Sequence, residues 1–291
     1  FQMENKLILG TVQFGLNYGV NNFKGKPKKK DVFNILKFAY DSGVKFLDTA
    51  QVYGNAHQLI GDFHQNYSDL KFKIITKLPN EIKHNIIKRN ILDYLDLMRI
   101  DSLEVIMFHS YDSFRSNYSS LKLLNELKSD RLINNIGVSV YTNTQLESLL
   151  NEDLINVVQL PLNLLDNLSI KGDLIYRLKK KEKIIHTRST FLQGLFFKEI
   201  NDKNIIVSKL SNELMILNGI KSKLNCSMED LALSYCINQE FVDKVIIGVD
   251  SVDHLKSNLK AMSYKLPLEI ITDIDAIKVK DLRLLNPSLW N

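Results

Sequence analysis

Lys45-Phe46-Leu47-Asp48-Thr49-Ala50-Gln51-Val52-Tyr53-Gly54-Asn55 is the stretch on which the fold turns. It opens as a short, nearly continuous apolar run, the pattern of a strand covered on both faces. It closes in polar residues and a Gly-Asn turn signal. An amphipathic segment stands before it. Within 31–42, Val32, Ile35, Leu36, Ala39 and Tyr40 share one helical stripe, and Gly43 stops the helix. Helix, strand and polar loop together form one α/β unit.

The unit recurs along the chain. Apolar, β-branched runs predict strands at 7–12, 45–49, 72–77, 104–109, 135–140, 156–160, 184–188 and 244–248. Helical spacing predicts helices over 85–98, 144–150 and 227–238. Ser227-Met228-Glu229-Asp230 reads as a capping box with Asp in the usual place of Glu. Eight alternating units predict an α/β fold of the closed (β/α)8 TIM-barrel type, with 1–291 as one domain. An open doubly wound sheet is the alternative. It would carry Gly-x-Gly-x-x-Gly after its first strand if it bound a dinucleotide. The chain instead has Gln13-Phe14-Gly15-Leu16-Asn17-Tyr18-Gly19, so a dinucleotide would be held another way.

Composition narrows the function classes. Of 291 residues, 45% are hydrophobic and 24% charged, as in ordinary globular proteins. Thirty-eight basic against 33 acidic residues leave a charge of +5, a mildly basic surface or an attraction for an anionic ligand. No basic stripe interleaved with aromatics appears, so no nucleic-acid partner is expected, and Lys26-Pro27-Lys28-Lys29-Lys30 reads as a solvated loop. Cys226 and Cys236 form neither a disulfide framework nor a metal cluster, and both read as buried thiols in a reducing compartment. No signal peptide and no long apolar run is visible, which predicts a cytoplasmic protein with no membrane partner. Phe1-Gln2 reads as a remnant of processing, with Met3 as the natural start.

In a barrel, reactive groups sit at the C-terminal ends of the strands. There the chain places Asp48, Lys77 and His109, with Tyr53 in the loop after the second strand. A tyrosine, pKa near 10, is a weak acid at neutral pH unless its phenolate is stabilised. A lysine ammonium can do that, and an aspartate can keep the lysine charged and fixed. A histidine can donate to a carbonyl oxygen while the tyrosine protonates it. A metal-dependent hydrolase would want a His-x-His or carboxylate cluster, and the first strand ends instead in Thr11-Val12-Gln13. Each group alone has a plainer role as helix cap, solvated charge or structural histidine. Their convergence on one mouth favours chemistry.

Leu47-Asp48-Thr49-Ala50-Gln51-Val52-Tyr53-Gly54-Asn55, Ile75-Thr76-Lys77 and Met107-Phe108-His109 closely resemble the active-site motifs of the aldo-keto reductase family. The resemblance runs from the first strand to about Ala261. It implies that Tyr53, Asp48, Lys77 and His109 form the catalytic tetrad of an NADP- or NAD-dependent oxidoreductase that interconverts a carbonyl and an alcohol. NADP is slightly favoured by the family. Ser139, in Ile136-Gly137-Val138-Ser139, and Gln159, in Val158-Gln159-Leu160-Pro161, match the residues that hold the nicotinamide carboxamide. Gly248, Asp250, Ser251, His254 and Asn258 match the segment that meets the adenosine phosphate end.

The chain also departs from the family pattern. Ser139 is followed by Val140 rather than Asn. Arg188, followed by Ser189, stands where a tyrosine usually stacks on the nicotinamide. It could stack there, or contact an anionic substrate. His254 replaces a usual Arg and Asp250 adds negative charge, which leaves NADP against NAD open. The tail from Asp281 is short, predicting an open mouth that admits a polar or bulky small-molecule carbonyl substrate, such as a sugar or a nucleotide sugar. Arg188-Ser189-Thr190-Phe191-Leu192-Gln193-Gly194 resembles bacterial members associated with sugar or surface-polysaccharide metabolism. Tyr18 and Trp290 are candidates for the substrate pocket, as is Tyr141. His57 reads as an exposed helix residue and His186 as a satisfied barrel histidine. A monomer or small homo-oligomer is expected. The competing function is a cofactor-binding regulatory subunit with little turnover.

Overall fold

The structure, a computed structural model, describes residues 5–19 and 25–290. The expectations for Phe1, Gln2 and Met3 lie outside them. Eight strands, β1 (Leu7–Gly10), β2 (Phe46–Asp48), β3 (Lys73–Leu78), β4 (Leu103–Phe108), β5 (Ile133–Ser139), β6 (Val157–Pro161), β7 (Ile184–Arg188) and β8 (Lys244–Gly248), close into one barrel. Every neighbouring pair is parallel, including β8 with β1. The architecture is a (β/α)8 barrel.

The two faces of the strands explain their unbroken hydrophobicity. One alternating set, including Leu7, Leu9, Leu47, Ile74, Ile106, Val158 and Ile185, is fully buried against the surrounding helices. The other set, Ile8, Phe46, Ile75, Val105, Met107 and Val157, fills the barrel interior as a separate apolar plug. Two residues further along, the inward series turns polar. Phe46 gives way to Asp48, Ile75 to Lys77 and Val157 to Gln159. Because side chains alternate with period two, a one-residue register slip would aim these groups at the helices. The hydrophobic plug therefore fixes where the polar site opens.

Some boundaries differ from expectation. β1 stops at Gly10: the Thr11 amide still bonds to the Asp48 carbonyl at 2.9 Å, but the backbone turns at Thr11, ψ 5°, into the short helix Val12–Gly15. The capping box at Ser227 is present, with Asp230 doing the work of Glu. The Ser227 amide donates to the Asp230 carboxylate at 3.0 Å, and the Asp230 amide donates to Ser227 Oγ at 3.0 Å. Cys236 is buried, and burial pushes its thiol up to about 12, but Cys226 is only partly buried, contrary to expectation. Among the described residues no helix is long and apolar enough to cross a membrane.

Candidate active site

A cavity of about 430 Å³ opens at the C-terminal ends of the strands. Asp48, Tyr53, Lys77 and His109 all line it. At its base, Lys77 Nζ donates to Asp48 Oδ1 at 2.5 Å and to the Thr49 carbonyl at 3.2 Å. Gln159 Nε2 donates to the other carboxylate oxygen, Asp48 Oδ2, at 2.9 Å. All three side chains are buried. Burial alone would neutralise Lys77, but the Asp48 charge, the Tyr53 hydroxyl and the hydrogen bond outweigh it, so its pKa is raised. The site therefore holds a fixed ammonium.

Tyr53 sits over this pair. The Lys77 ammonium lies 5.5 Å from its ring centroid, and the His109 ring meets it edge-on at 6.0 Å. Two glycines let the Tyr53 loop reach that place. A Cβ on Gly15 would stand 1.7 Å from the Tyr53 carbonyl oxygen, and one on Gly54 would stand 2.5 Å from the Gly15 oxygen. Gly54 also has φ +56°, in the left-handed region that suits glycine. Backbone thus packs on backbone between the turn after β1 and the loop after β2.

The acidity of Tyr53 departs from expectation. Burial raises its pKa, Lys77 pulls it down, and Asp48 pushes it up again, for a net rise. Lys77 acts in the expected direction, but Asp48 and the loss of water outweigh it. His109 is held neutral. Burial first, then the Lys77 and Arg188 charges, lower its pKa to about 4 against the pull of Asp48.

The remaining predicted residues divide into two groups. Ser139, Arg188, Ser189, Gly248, Asp250, His254 and Tyr18 line the same cavity. Arg188 donates from NH2 to the Val140 carbonyl at 3.2 Å and from NH1 to Ser189 Oγ at 3.4 Å, and its guanidinium lies 4.1 Å from the Tyr141 ring centroid. His254 Nδ1 and Asp250 Oδ1 are 2.8 Å apart. Tyr18 accepts from Gln193 Nε2 at 2.9 Å across the mouth.

Ser251, Asn258 and Trp290 are not among the lining residues. Ser251 caps the helix Val252–Ala261 by accepting from the His254 amide, and Asn258 is buried further along it. The expectation for Trp290 is corrected. It packs against the core, and its indole N–H donates to the Leu284 carbonyl at 3.1 Å. The tail folds back on itself rather than over the mouth.

Two histidine expectations are also corrected. His57 is buried, not exposed. Its Nε2 lies 2.9 Å from Thr76 Oγ1, beside Lys77, and its ring packs edge-on against Tyr94. His186 is buried, but its Nδ1 has no partner among the described residues. Burial lowers each to a pKa of about 4. In the unfolded chain both titrate near 6.5. Stability is therefore full above about pH 6.5 and is lost as the pH falls toward 4, because the unfolded chain takes up protons that the fold refuses. Each histidine removes on the order of 3 kcal/mol across that window. A series of Tm measurements from pH ~7 to pH ~4.5 will show a steep fall, and His57→Gln will flatten it.

Three buried polar atoms on the cavity wall lack partners among the described residues: Gln13 Oε1, Thr190 Oγ1 and His109 Nδ1. Gly248 makes room for the first, since a Cβ there would stand 2.4 Å from Gln13 Oε1. Orphaned groups of this kind cost about 1–3 kcal/mol each unless a ligand satisfies them. A polar ligand rich in donors and acceptors, as a dinucleotide is, suits this wall. Gln13 and Thr190 were missed in the sequence, although each lies within three residues of a strand end, and strand ends are where to look. Phe197, also in the wall, comes from further along the loop after β7 and carries no such signal.

The sequence profile of the aldo/keto reductase family matches residues 6–279. The chain belongs to the aldo/keto reductase family. It is 23% identical over 323 residues to a Schizosaccharomyces pombe protein provisionally named an aryl-alcohol dehydrogenase, covering 92% of this chain and 90% of that one. A 6-dehydroglucose reductase of Novosphingobium aromaticivorans is 26% identical over 135 residues, 41% of this chain and 44% of that one. Among solved structures, the holo form of an aldo-keto reductase from Bacillus halodurans superposes with a TM-score of 0.78 at 18% identity, covering 96% of this chain and 95% of that one. That likeness confirms the barrel, and family membership makes the chain an oxidoreductase of the carbonyl–alcohol class.

Proposed function

We propose that this chain reduces a small-molecule carbonyl, and oxidises the matching alcohol, with a nicotinamide dinucleotide and with Tyr53 as the proton donor and acceptor. The observation that carries this reading is the placing of Tyr53 in one cavity with a buried Lys77–Asp48 pair and a neutral His109. When bound, the dinucleotide supplies or accepts a hydride at the substrate carbon. Everything else falls to the chain. The neutral His109 offers a ring N–H that orients the carbonyl oxygen. Tyr53 gives its proton to that oxygen as negative charge develops on it. An alkoxide is roughly as basic as hydroxide and far more basic than a phenolate, so a buried phenol still transfers its proton downhill. Lys77 steadies the phenolate that remains, and Asp48, gripped by both Lys77 and Gln159, keeps Lys77 charged.

Gln159 thus supports Asp48 in this structure, which leaves Ser139 as the simpler partner for the nicotinamide carboxamide. At the other end, a carboxylate at Asp250 repels a 2′-phosphate and can accept from a free 2′-hydroxyl. On this basis Asp250→Asn tightens the Kd for NADPH by about threefold or more and leaves that for NADH nearly unchanged, as equilibrium titration will read.

The raised pKa of Tyr53 fixes the pH dependence. Reduction needs the phenol, so its kcat stays level through the neutral range and beyond pH ~10. Oxidation needs the phenolate, so its kcat climbs with pH across the same range. No step near pH 6.5 appears in either, because His109 is already neutral there. The reading as a whole is tested by fluorescence titration with NADPH and NADH, followed by turnover of aldehydes, ketones and sugars. Binding of at least one cofactor with turnover supports it. Failure to bind either one sinks it, and binding without turnover favours the regulatory subunit.

A further inference from the structure

Arg188 is a surplus positive charge on the cavity wall. The acids around it already have partners of their own: Asp48 is paired with Lys77 and Asp166 with Lys171, and Asp250 lies 2.8 Å from the His254 ring. Arg188 itself forms no ion pair among the described residues. Its two hydrogen bonds go to a neutral carbonyl and a hydroxyl. Its charge nevertheless reaches the reacting groups, pulling down Tyr53, Tyr18 and His109.

The guanidinium is also held in place. It lies 4.1 Å from the Tyr141 ring centroid, a cation–π contact, and the Val140 and Ser189 bonds fix two of its five N–H groups. The remaining three have no partner among the described residues, in a cavity that Phe191 and Phe197 also line. A fixed, partly buried planar cation with spare parallel donors is the arrangement that grips a carboxylate or phosphate in bidentate fashion.

We propose that Arg188 selects carbonyl substrates that bear an anionic group, a carboxylate or a phosphate. This rests on the reductase reading of the site and adds the class of substrate to it. A neutral aldehyde would leave the guanidinium unanswered in a partly dry pocket, whereas an anionic one would complete it.

The test compares 4-carboxybenzaldehyde, 4-formylphenyl phosphate and benzaldehyde as substrates of the wild-type protein, Arg188→Gln and Arg188→Lys. The wild type is expected to prefer at least one anionic aldehyde over benzaldehyde by about tenfold or more in kcat/KM, mainly through KM. Which of the two is favoured separates carboxylate from phosphate. That ratio collapses toward one in Arg188→Gln and survives in part in Arg188→Lys. In the wild type it also shrinks as salt is added. A wild type with no anionic preference, or an Arg188→Gln that loses all three substrates equally, overturns the proposal and assigns Arg188 to the cofactor instead. Should none of the three be reduced, these aldehydes are not substrates, and the anion preference is read from binding instead. Calorimetric titration of benzoate against benzamide, with NADH present, then still decides the matter. Tighter binding of benzoate that Arg188→Gln abolishes supports the anion site, and equal binding of the two overturns it.

Discussion

Tyr53→Phe lowers kcat for carbonyl reduction by about 10²–10⁴-fold, the usual contribution of a positioned proton donor. The change removes one oxygen and keeps the ring. The edge-on packing on His109 and the contact with Lys77 are retained, so the fold and the cavity persist. Cofactor affinity is expected to move little, because the lost group acts on the substrate oxygen. The loss therefore falls on kcat and kcat/KM together, the sign of an interaction made in the transition state. Steady-state kinetics beside a cofactor titration reads both quantities. Full activity in Tyr53→Phe would show that the proton comes from elsewhere.

Lys77→Met has the second-largest effect, and it strikes stability as well as rate. The ammonium and the Asp48 carboxylate are both buried and bonded at 2.5 Å. Removing one partner leaves an uncompensated buried charge, which costs about 3–5 kcal/mol. Gln159 would hold one carboxylate oxygen, so the loss falls toward the lower end. The double variant Asp48→Asn/Lys77→Met removes both charges and should recover most of the stability, since replacing a whole buried pair is often nearly neutral. It should not recover turnover, because nothing then stabilises the Tyr53 phenolate. Chemical denaturation and kinetics on the three proteins separate the two roles. Recovery of activity in the double variant would mean that Lys77 is structural.

Much of this architecture was legible in the sequence. The runs read as strands at 184–188 and 244–248 coincide with β7 and β8, because each is apolar, β-branched and flanked by helical spacing. The inward polar series was legible for the same reason: period two places Asp48 and Lys77 on the face that carries Phe46 and Ile75. What could not be read depended on tertiary contact. Val12 looks like strand, yet β1 ends earlier because the backbone turns at Thr11, whose carbonyl accepts from the Phe14 amide and starts a helix. His57 looks polar and so exposed. Together with Ile60, Gly61 and His64 it forms an i, i+3, i+4, i+7 stripe, and that stripe is the buried one. Gly61 permits the close approach, since a Cβ there would stand 1.9 Å from the Leu97 carbonyl oxygen. The net rise in the Tyr53 pKa was hidden too, because spacing names the charges near a group but not the water withdrawn from it. The bond from Gln159 to Asp48 crosses the barrel between residues far apart in the chain, and only the closed fold brings them together.

The central claim is that this cavity converts a carbonyl to an alcohol at the expense of a reduced nicotinamide. Product analysis of wild-type protein incubated with benzaldehyde or 4-carboxybenzaldehyde and NADH or NADPH tests it most directly. The account predicts one molecule of the corresponding benzyl alcohol for each reduced cofactor consumed. Tight cofactor binding with no alcohol formed from any aldehyde, ketone or sugar offered would contradict it.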